Sequence, residues 1–347
     1  MKRCVANLWW IGLYAGLGVT TMAAGARVSK APPPPSAGRL VALAPAFDLL
    51  IASNTPIERV AEGFKSATAP CWDSSERQLL FSDIESNRLY AWQSGAPARV
   101  VLEMSGYTNY YPRGGAMGTS AILVESARSW ILCQHGNRRI ERIEIRRDET
   151  NRTVLVEYYR YSRFNSPHAA VMNRNGDLYF TDPPLGLEGL ERDSSRELTY
   201  SGVYQLPRKG ELRLLDRELA RPTGIALSPS EKSLYVADAN PQRPAWWAYE
   251  LGRDGSVGAR RLWFDGASLS GQGRGLPGGM RTDQKGNVFA AGPGGILVLS
   301  ASGQHLGTIE IPEPVSGCAW GDNGARLYVT GAGAIYRIAT RTKGRIR

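Results

Sequence analysis

The chain has 347 residues and a formal net charge of +10, with three histidines and four cysteines. Its positive charges are scattered, and the densest run, 138–147, also contains Glu141 and Glu144, which indicates a solvated pair of strands rather than a surface for nucleic acid. No cysteine or histidine pair has the spacing of a zinc site, and no glycine-rich phosphate loop joins a strand to a helix.

The first predicted element is a secretory signal peptide over residues 1–26. Lys2 and Arg3 precede an apolar stretch at 8–19, and small residues at 21–26 offer a cleavage site. An uncleaved membrane anchor is the alternative, but the apolar stretch is short for a span and contains glycines. We therefore expect an exported protein, periplasmic or secreted, with no membrane span after cleavage.

A stiff linker is predicted next, over residues 27–39. It contains four consecutive prolines, Pro32 to Pro35, which favour polyproline geometry over a packed core. The remaining residues, 40–347, are numerous enough for two average domains, but closed all-β rings reach this length as one domain. The internal repeats of this region favour one domain.

Six stretches of residues 40–347 resemble one another. Each opens with small residues and an apolar step, passes through a polar turn and ends in an apolar strand, as in HAAVMNRNGDLYFTD from His168. The copies begin near Thr68, Thr119, His168, Thr223, Gly278 and Ser316, and the second copy is looser than the others. Repeats of 38 to 55 residues built from short strands and turns are typical of a β-propeller. The chain is therefore predicted to be all-β, a six-bladed β-propeller.

The same six positions define the predicted pocket. The innermost strands of a propeller line a central channel, and the first residue of each repeat is placed to reach one mouth of it. The predicted ring is Thr68, Thr119, His168, Thr223, Gly278 and Ser316. In the looser second copy, the pattern leaves open whether Thr119 or Ser120 faces the channel. The ring contains hydroxyl groups and one histidine but no carboxylate.

Three aspartates, Asp83, Asp182 and Asp238, end the second strand of their repeats. An aspartate in such a position typically accepts hydrogen bonds within a turn, so we expect each to cap the turn that follows it. A catalytic role is the alternative.

Three cysteines, Cys71, Cys133 and Cys318, would remain after removal of the signal peptide. All lie in predicted strands, so we expect buried thiols of the core. An odd number cannot fully pair within one chain, and the sequence leaves open whether any of them forms a disulfide.

The chain resembles the gluconolactonase, senescence marker protein and luciferin-regenerating-enzyme family. The resemblance covers nearly the whole predicted mature chain, and its motifs occur in the family's order. They are LLFSDIESNRLYAW (79–92), NSPH (165–168), LYFTDPPLG (178–186), RPTGIALSPSEKSLYVAD (221–238) and LPGGMRTDQKGNVF (276–289). The resemblance implies a six-bladed propeller and, in many members, hydrolysis of sugar lactones with a bound divalent metal.

The positions that hold this metal in the family are changed here. The family's glutamate, the asparagine of RPNG and the aspartate of LPDG correspond to Thr68, Thr223 and Gly278, and the Asn-Asp pair of NSPND corresponds to His168 and Ala169. A hard cation needs several oxygen ligands and compensating carboxylates. We therefore expect no metal ion and no other cofactor.

His168 is the one titratable group of the predicted ring, and we interpret it as the candidate catalytic residue, a general acid or base that needs no metal. The alternative is a channel histidine without chemistry. Tyr110 and Arg113 lie in a loop that borders the family's pocket, and we expect them to line or cover it, with ordinary packing as the alternative. His135 is interpreted as structural.

Three functions remain open at this point. The first is an exported, gluconolactonase-like protein that binds a lactone, a sugar acid or another small cyclic metabolite, as a pseudoenzyme or a weak, divergent hydrolase. The second is an enzyme with different metal-free chemistry, a cyclase, lyase or isomerase that uses His168. The third is a scaffold that binds another protein.

Overall fold

The structure is a computed structural model, and it describes residues 36–111, 114–147, 149–269 and 274–346. Six antiparallel sheets of four or five strands form the blades of a propeller, which confirms the predicted fold. The predicted signal peptide lies outside the described residues, and the bounds of the linker and of the globular domain remain predictions.

The strands follow one another around the ring in chain order. β1 (Arg39–Ala42) and β2 (Ile57–Glu62) come first. Blade 1 contains β3 (Ala67–Asp73), β4 (Gln78–Asp83), β5 (Arg88–Trp92) and β6 (Arg99–Glu103), and blade 2 contains β7 (Thr119–Ser126), β8 (Ser129–Gln134), β9 (Arg139–Arg146) and β10 (Glu149–Val156). After the hairpin of β11 (Tyr158–Tyr159) and β12 (Ser162–Arg163), blade 3 contains β13 (Ala170–Met172), β14 (Leu178–Asp182), β15 (Gly202–Leu206) and β16 (Arg213–Asp216).

Three further blades complete the ring. Blade 4 contains β17 (Pro222–Leu227), β18 (Ser233–Asp238), β19 (Ala245–Leu251) and β20 (Val257–Asp265). Blade 5 contains β21 (Met280–Thr282), β22 (Val288–Gly292), β23 (Gly295–Leu299) and β24 (His305–Glu310), and blade 6 contains β25 (Val315–Gly321), β26 (Arg326–Gly331) and β27 (Ala334–Ala339). β1 pairs with β24 and β2 with β27, so the start of the described chain extends the last two blades.

Helical structure within the described ranges is confined to four short 3-10 turns, at Pro45–Phe47, Pro184–Gly186, Leu190–Arg192 and Gly266–Leu269. None of the helices in this part of the chain is long and apolar enough to cross a membrane. All functional side chains must therefore be positioned by strands and by the loops between them.

The core lies between the blades. Each of six clusters of buried apolar side chains is shared by two neighbouring blades. Successive residues of a strand point to opposite faces of its sheet, so Tyr179 packs toward blade 4 while Phe180 packs toward blade 2. The chain's alternating pattern therefore holds every blade between two neighbours.

The three aspartates bind a different part of the backbone from the one predicted. Asp83, Asp182 and Asp238 accept the backbone N–H groups of Ser66, Ser166 and Arg221 at 2.9, 2.7 and 2.7 Å. Each donor lies two residues before the predicted ring residue of the same blade. The carboxylates therefore fix the chain segment that leads into the first strand, and only secondarily the following turn, where Asp83 also accepts the hydroxyl of Ser86 at 2.5 Å.

Candidate functional site

The first strands of the six blades all begin on one face of the propeller, here called the upper face. They enclose a cavity of about 40 Å³, here called the upper cavity. Its wall includes Thr68, Ser120, His168, Thr223, Gly279, Arg281 and Ser316. This is the position in which a propeller of this topology offers a site, and the structure brings most of the predicted ring residues together there.

Three of the ring hydroxyls connect neighbouring blades. Ser120 donates to the carbonyl of Pro167 at 2.8 Å, Thr223 to that of Pro277 at 2.7 Å and Ser316 to that of Ala67 at 2.9 Å. In each case the acceptor immediately precedes a ring residue of the next blade. A buried neutral hydrogen bond contributes about 1 kcal/mol to stability, so these hydroxyls are structural ties between blades.

The register of the second repeat differs from the predicted ring. Ser120 lines the upper cavity, whereas Thr119 is fully buried, and its hydroxyl has no hydrogen-bond partner among the residues the structure describes. The pairing of β7 with β8 shifts between Thr119 and Ala121, and this irregularity directs Ser120 inward. In blade 5, Gly279 rather than Gly278 borders the cavity.

His168 pairs with a second histidine. Its Nδ1 lies 3.0 Å from Nε2 of His135, whose own Nδ1 lies 3.1 Å from the carbonyl oxygen of Ala116. A carbonyl only accepts, so Nδ1 of His135 carries a proton, and we assign the neutral tautomer, in which Nε2 of His135 is an acceptor. His168 must then donate from Nδ1, which leaves the lone pair on its Nε2 available to a ligand or to water.

The local sequence holds both rings in place. The N–H of His168 donates to the carbonyl of Thr181 at 2.8 Å, and His135 follows β8 directly in a tight loop. Gly186 packs over His135, where an added Cβ would lie 2.6 Å from the histidine Cβ. His135 was expected to be structural, and the structure also places it against His168, 33 residues away. No local sequence pattern indicates this contact.

Burial controls the charge of the site. It lowers the pKa of His168 to about 4, because the charged imidazolium would lose the solvation that bulk water provides. His168 is therefore neutral at physiological pH and able to accept a proton. Burial also raises the pKa of the nearby Asp182 to about 7, although two backbone N–H groups and the guanidinium of Arg138 oppose this change.

Of the two predicted loop residues, the structure describes only Tyr110, which does not border the upper cavity. The side chain of Tyr110 is 90% exposed and contacts Tyr111 edge to face, with 5.3 Å between the ring centroids. Tyr110 lies between β6 and β7, and β7 begins on the upper face. Arg113 lies outside the described residues, and its predicted role remains a prediction.

The family's metal does not fit the donors of this ring. The hydroxyls, the imidazole and the backbone groups of the upper cavity are all neutral, and its one charged side chain, Arg281, would repel a cation. There is also no space for the family's aspartate at position 278, because a Cβ on Gly278 would lie 2.8 Å from the carbonyl oxygen of Ser316. Among the described residues no group of three histidines, cysteines or acidic side chains is arranged to hold a metal.

Comparison with known proteins identifies the family. The model of the SMP-30/Gluconolactonase/LRE-like region matches residues 66–333, which is more than half of the chain. The chain belongs to this family. A gluconolactonase from Zymomonas mobilis is 32% identical to this family member, in an alignment that covers 99% of this chain and 98% of the gluconolactonase. The pentonolactonase XacC of Haloferax volcanii is 25% identical, in an alignment that covers 76% of this chain and 80% of XacC.

Solved structures agree with this assignment. A gluconolactonase from Xanthomonas campestris superposes with a TM-score of 0.74 at 26% identity, covering 90% of this family member and 99% of that chain. A luciferin-regenerating enzyme superposes with a TM-score of 0.66 at 18% identity, covering 84% and 98%. At 18% identity, the likeness to the luciferin-regenerating enzyme supports the fold alone.

Proposed function

We propose that this family member is an exported, weak lactone hydrolase that works without a divalent metal, with His168 as its general base. The observation that carries the proposal is the hydrogen-bonded pair of His135 and His168 at the wall of the upper cavity, from which we assign a lone pair to Nε2 of His168. Membership of a family with several lactone hydrolases supports a sugar lactone as the substrate.

The size of the cavity suggests how the reactants are arranged. A cavity of about 40 Å³ holds water but not a whole sugar lactone, so the lactone would lie at the mouth and the attacking water below it. Nε2 of His168 takes a proton from this water, and the hydroxide oxygen bonds to the lactone carbonyl carbon. The ring C–O bond then breaks, and the leaving oxygen recovers the proton from His168, which yields the hydroxy acid.

Hydrolysis of δ-gluconolactone at pH 5–6.5, where the uncatalysed reaction is slow enough to subtract, tests the proposal. General-base catalysis raises the rate about 100-fold or more, so His168→Gln should lower kcat/KM by about that factor. EDTA should leave the rate of the wild-type protein unchanged. Only the neutral imidazole accepts a proton, so kcat/KM followed over a wider range, from pH 3 to pH 6.5, should fall on acidification with an apparent pKa of about 4.

His305→Gln is the matched control, because His305 lies on β24 and does not border the upper cavity. It should retain the original rate. A rate that rises with added Ca²⁺, Mn²⁺ or Zn²⁺, or that survives His168→Gln, would contradict the proposal. A lactone that binds with no turnover above background would favour a binding protein instead.

Export rests on the pattern of residues 1–26 and is proposed on that basis. The full chain produced in a Gram-negative host should appear in the periplasm or medium with a new N-terminus near residue 27. Intact N-terminal sequence on the exported protein, or retention in the cytoplasm, would overturn this part of the proposal without affecting the hydrolysis test.

A further inference from the structure

A second ring of inward-facing residues lies three positions further along each first strand. Its members are Cys71, Leu123, Val171, Ala226, Arg281 and Ala319, and all six border a second cavity of about 150 Å³. This lower cavity is lined by the far ends of the first strands, including Leu227 and Thr282, so it opens away from the upper face. Five members of the ring are small or apolar, and Arg281 is the exception.

The guanidinium of Arg281 lies at the wall of the lower cavity. Its Nη1 donates to the carbonyl of Met280 at 2.9 Å, and no carboxylate of the described chain pairs with it. The acidic side chain of the lower cavity, Glu231, is already paired with Arg345 at 2.8 Å and with Arg174 at 3.6 Å. A guanidinium stays protonated, and enclosing it without an anion is unfavourable, so this position favours an anionic partner.

The walls around this cation restrict the chemistry of the partner. Leu123, Val171, Ile225 and Trp320 give the lower cavity a largely apolar lining. A sugar acid would lose the hydrogen bonds of its hydroxyl groups against such walls. A carboxylate with an apolar body would instead pair with Arg281 and bury hydrocarbon at the same time.

We propose that the lower cavity is a second ligand site, separate from the upper cavity, and that it binds a small apolar monocarboxylate. The carboxylate pairs with Arg281, and the aliphatic or aromatic body lies against the apolar wall toward the lower face. Ile346 and Arg345, near the end of the chain, border the same cavity and close part of its opening. This site goes beyond lactone hydrolysis and does not depend on it.

Calorimetric titration of the folded protein with benzoate and with hexanoate tests the site. Benzyl alcohol, similar in shape to benzoate but uncharged, is the matched ligand. Charged hydrogen bonds of this kind change affinity by about tenfold or more, so Arg281→Met should weaken the binding of benzoate at least tenfold. Benzyl alcohol should bind weakly to the wild-type protein and to Arg281→Met. Arg217→Met, at an exposed arginine that borders neither cavity, should bind benzoate as the wild-type protein does.

Two further variants locate the ligand. Leu123→Trp should fill the lower cavity and abolish benzoate binding, and His168→Gln should leave it unchanged because His168 borders the upper cavity alone. Arg281 borders both cavities, so gluconate is titrated as well. Three outcomes would overturn the proposal. The wild-type protein binds neither benzoate nor hexanoate, or Arg281→Met binds benzoate as tightly as the wild-type protein does. The third outcome is that gluconate binds more tightly than benzoate and that His168→Gln loses the binding of gluconate. Far-UV circular dichroism and thermal unfolding show whether the variants are folded.

Discussion

His168 owes its lowered pKa to burial. A carboxylate beside an imidazole would stabilise the charged ring, whereas His135 orients His168 by a hydrogen bond and contributes no negative charge. Burial then dominates and keeps the ring neutral, which is the form that a general base requires. Burial favours the neutral form of Asp182 as well. Because the neutral form of a carboxyl group is the protonated one, burial raises the pKa of Asp182, whereas it lowers that of His168.

Asp182 gives a prediction for the dependence of stability on pH. Its pKa rises from 3.8 to about 7 on folding, so between these values the folded chain binds more protons than the unfolded chain. The contribution of Asp182 to the free energy of unfolding is therefore largest below pH 4 and falls as the pH rises to 7. We expect the stability of the original protein relative to Asp182→Asn to decrease across this range, as measured by urea unfolding at several pH values.

The comparison with Asp182→Asn removes other titrations from the measurement. His168 favours stability at higher pH, because its pKa is lowered on folding, but it is present in both proteins and cancels in the difference. A difference in unfolding free energy that stays constant from pH 4 to pH 7 would show that Asp182 ionises normally.

At the scale of strands, the first strands of blades 4 to 6 approach one another through glycines. A Cβ added at Gly224 would lie 2.0 Å from the carbonyl oxygen of Gly278, and one added at Gly279 would lie 3.1 Å from the Cα of Gly317. The N–H of Gly279 also donates to the carbonyl of Ser316 at 2.9 Å. These contacts close the side of the channel on which the resemblance would place a metal-binding aspartate.

Gly278→Asp restores the family's residue and should not restore a metal site. Overpacking of this kind costs about 1–3 kcal/mol, so we expect a lower melting temperature and no increase on addition of Ca²⁺. Thermal unfolding with and without the metal measures both. Gly258→Asp is the control, since a Cβ there would lie 3.7 Å from the nearest atom. Stabilisation of Gly278→Asp by Ca²⁺ would show that the channel adapts to the metal.

At the scale of the whole molecule, the propeller is closed by strands that are distant in sequence. β2 forms the outer strand of blade 6, with Ile57 opposite Ile338 and Glu62 opposite Ala334. β1 instead adds a fifth strand outside blade 5. Closure of the ring therefore depends on β2, whereas β1 pairs with the outer strand of blade 5, which already has four strands.

Two truncations separate these roles. Removal of residues 1–62 deletes β2 and leaves blade 6 with three strands, so we expect the melting temperature to fall by more than about 10 °C or cooperative unfolding to be lost. Removal of residues 1–43 deletes β1 but keeps β2, and the shift should be clearly smaller. Calorimetric unfolding compares the two, and equal melting temperatures would contradict the closure by β2.

The sequence alone was sufficient for the number of blades, the family and four residues of the upper cavity, Thr68, His168, Thr223 and Ser316, because each blade is a local unit with an alternating apolar pattern and a turn. It could not show that His135 meets His168, that Ser120 rather than Thr119 faces the channel, or that Arg281 has no counterion among the residues that the structure describes. These features are contacts between blades or consequences of a shift in strand pairing. They depend on how six units close around one axis, and only the tertiary structure decides that.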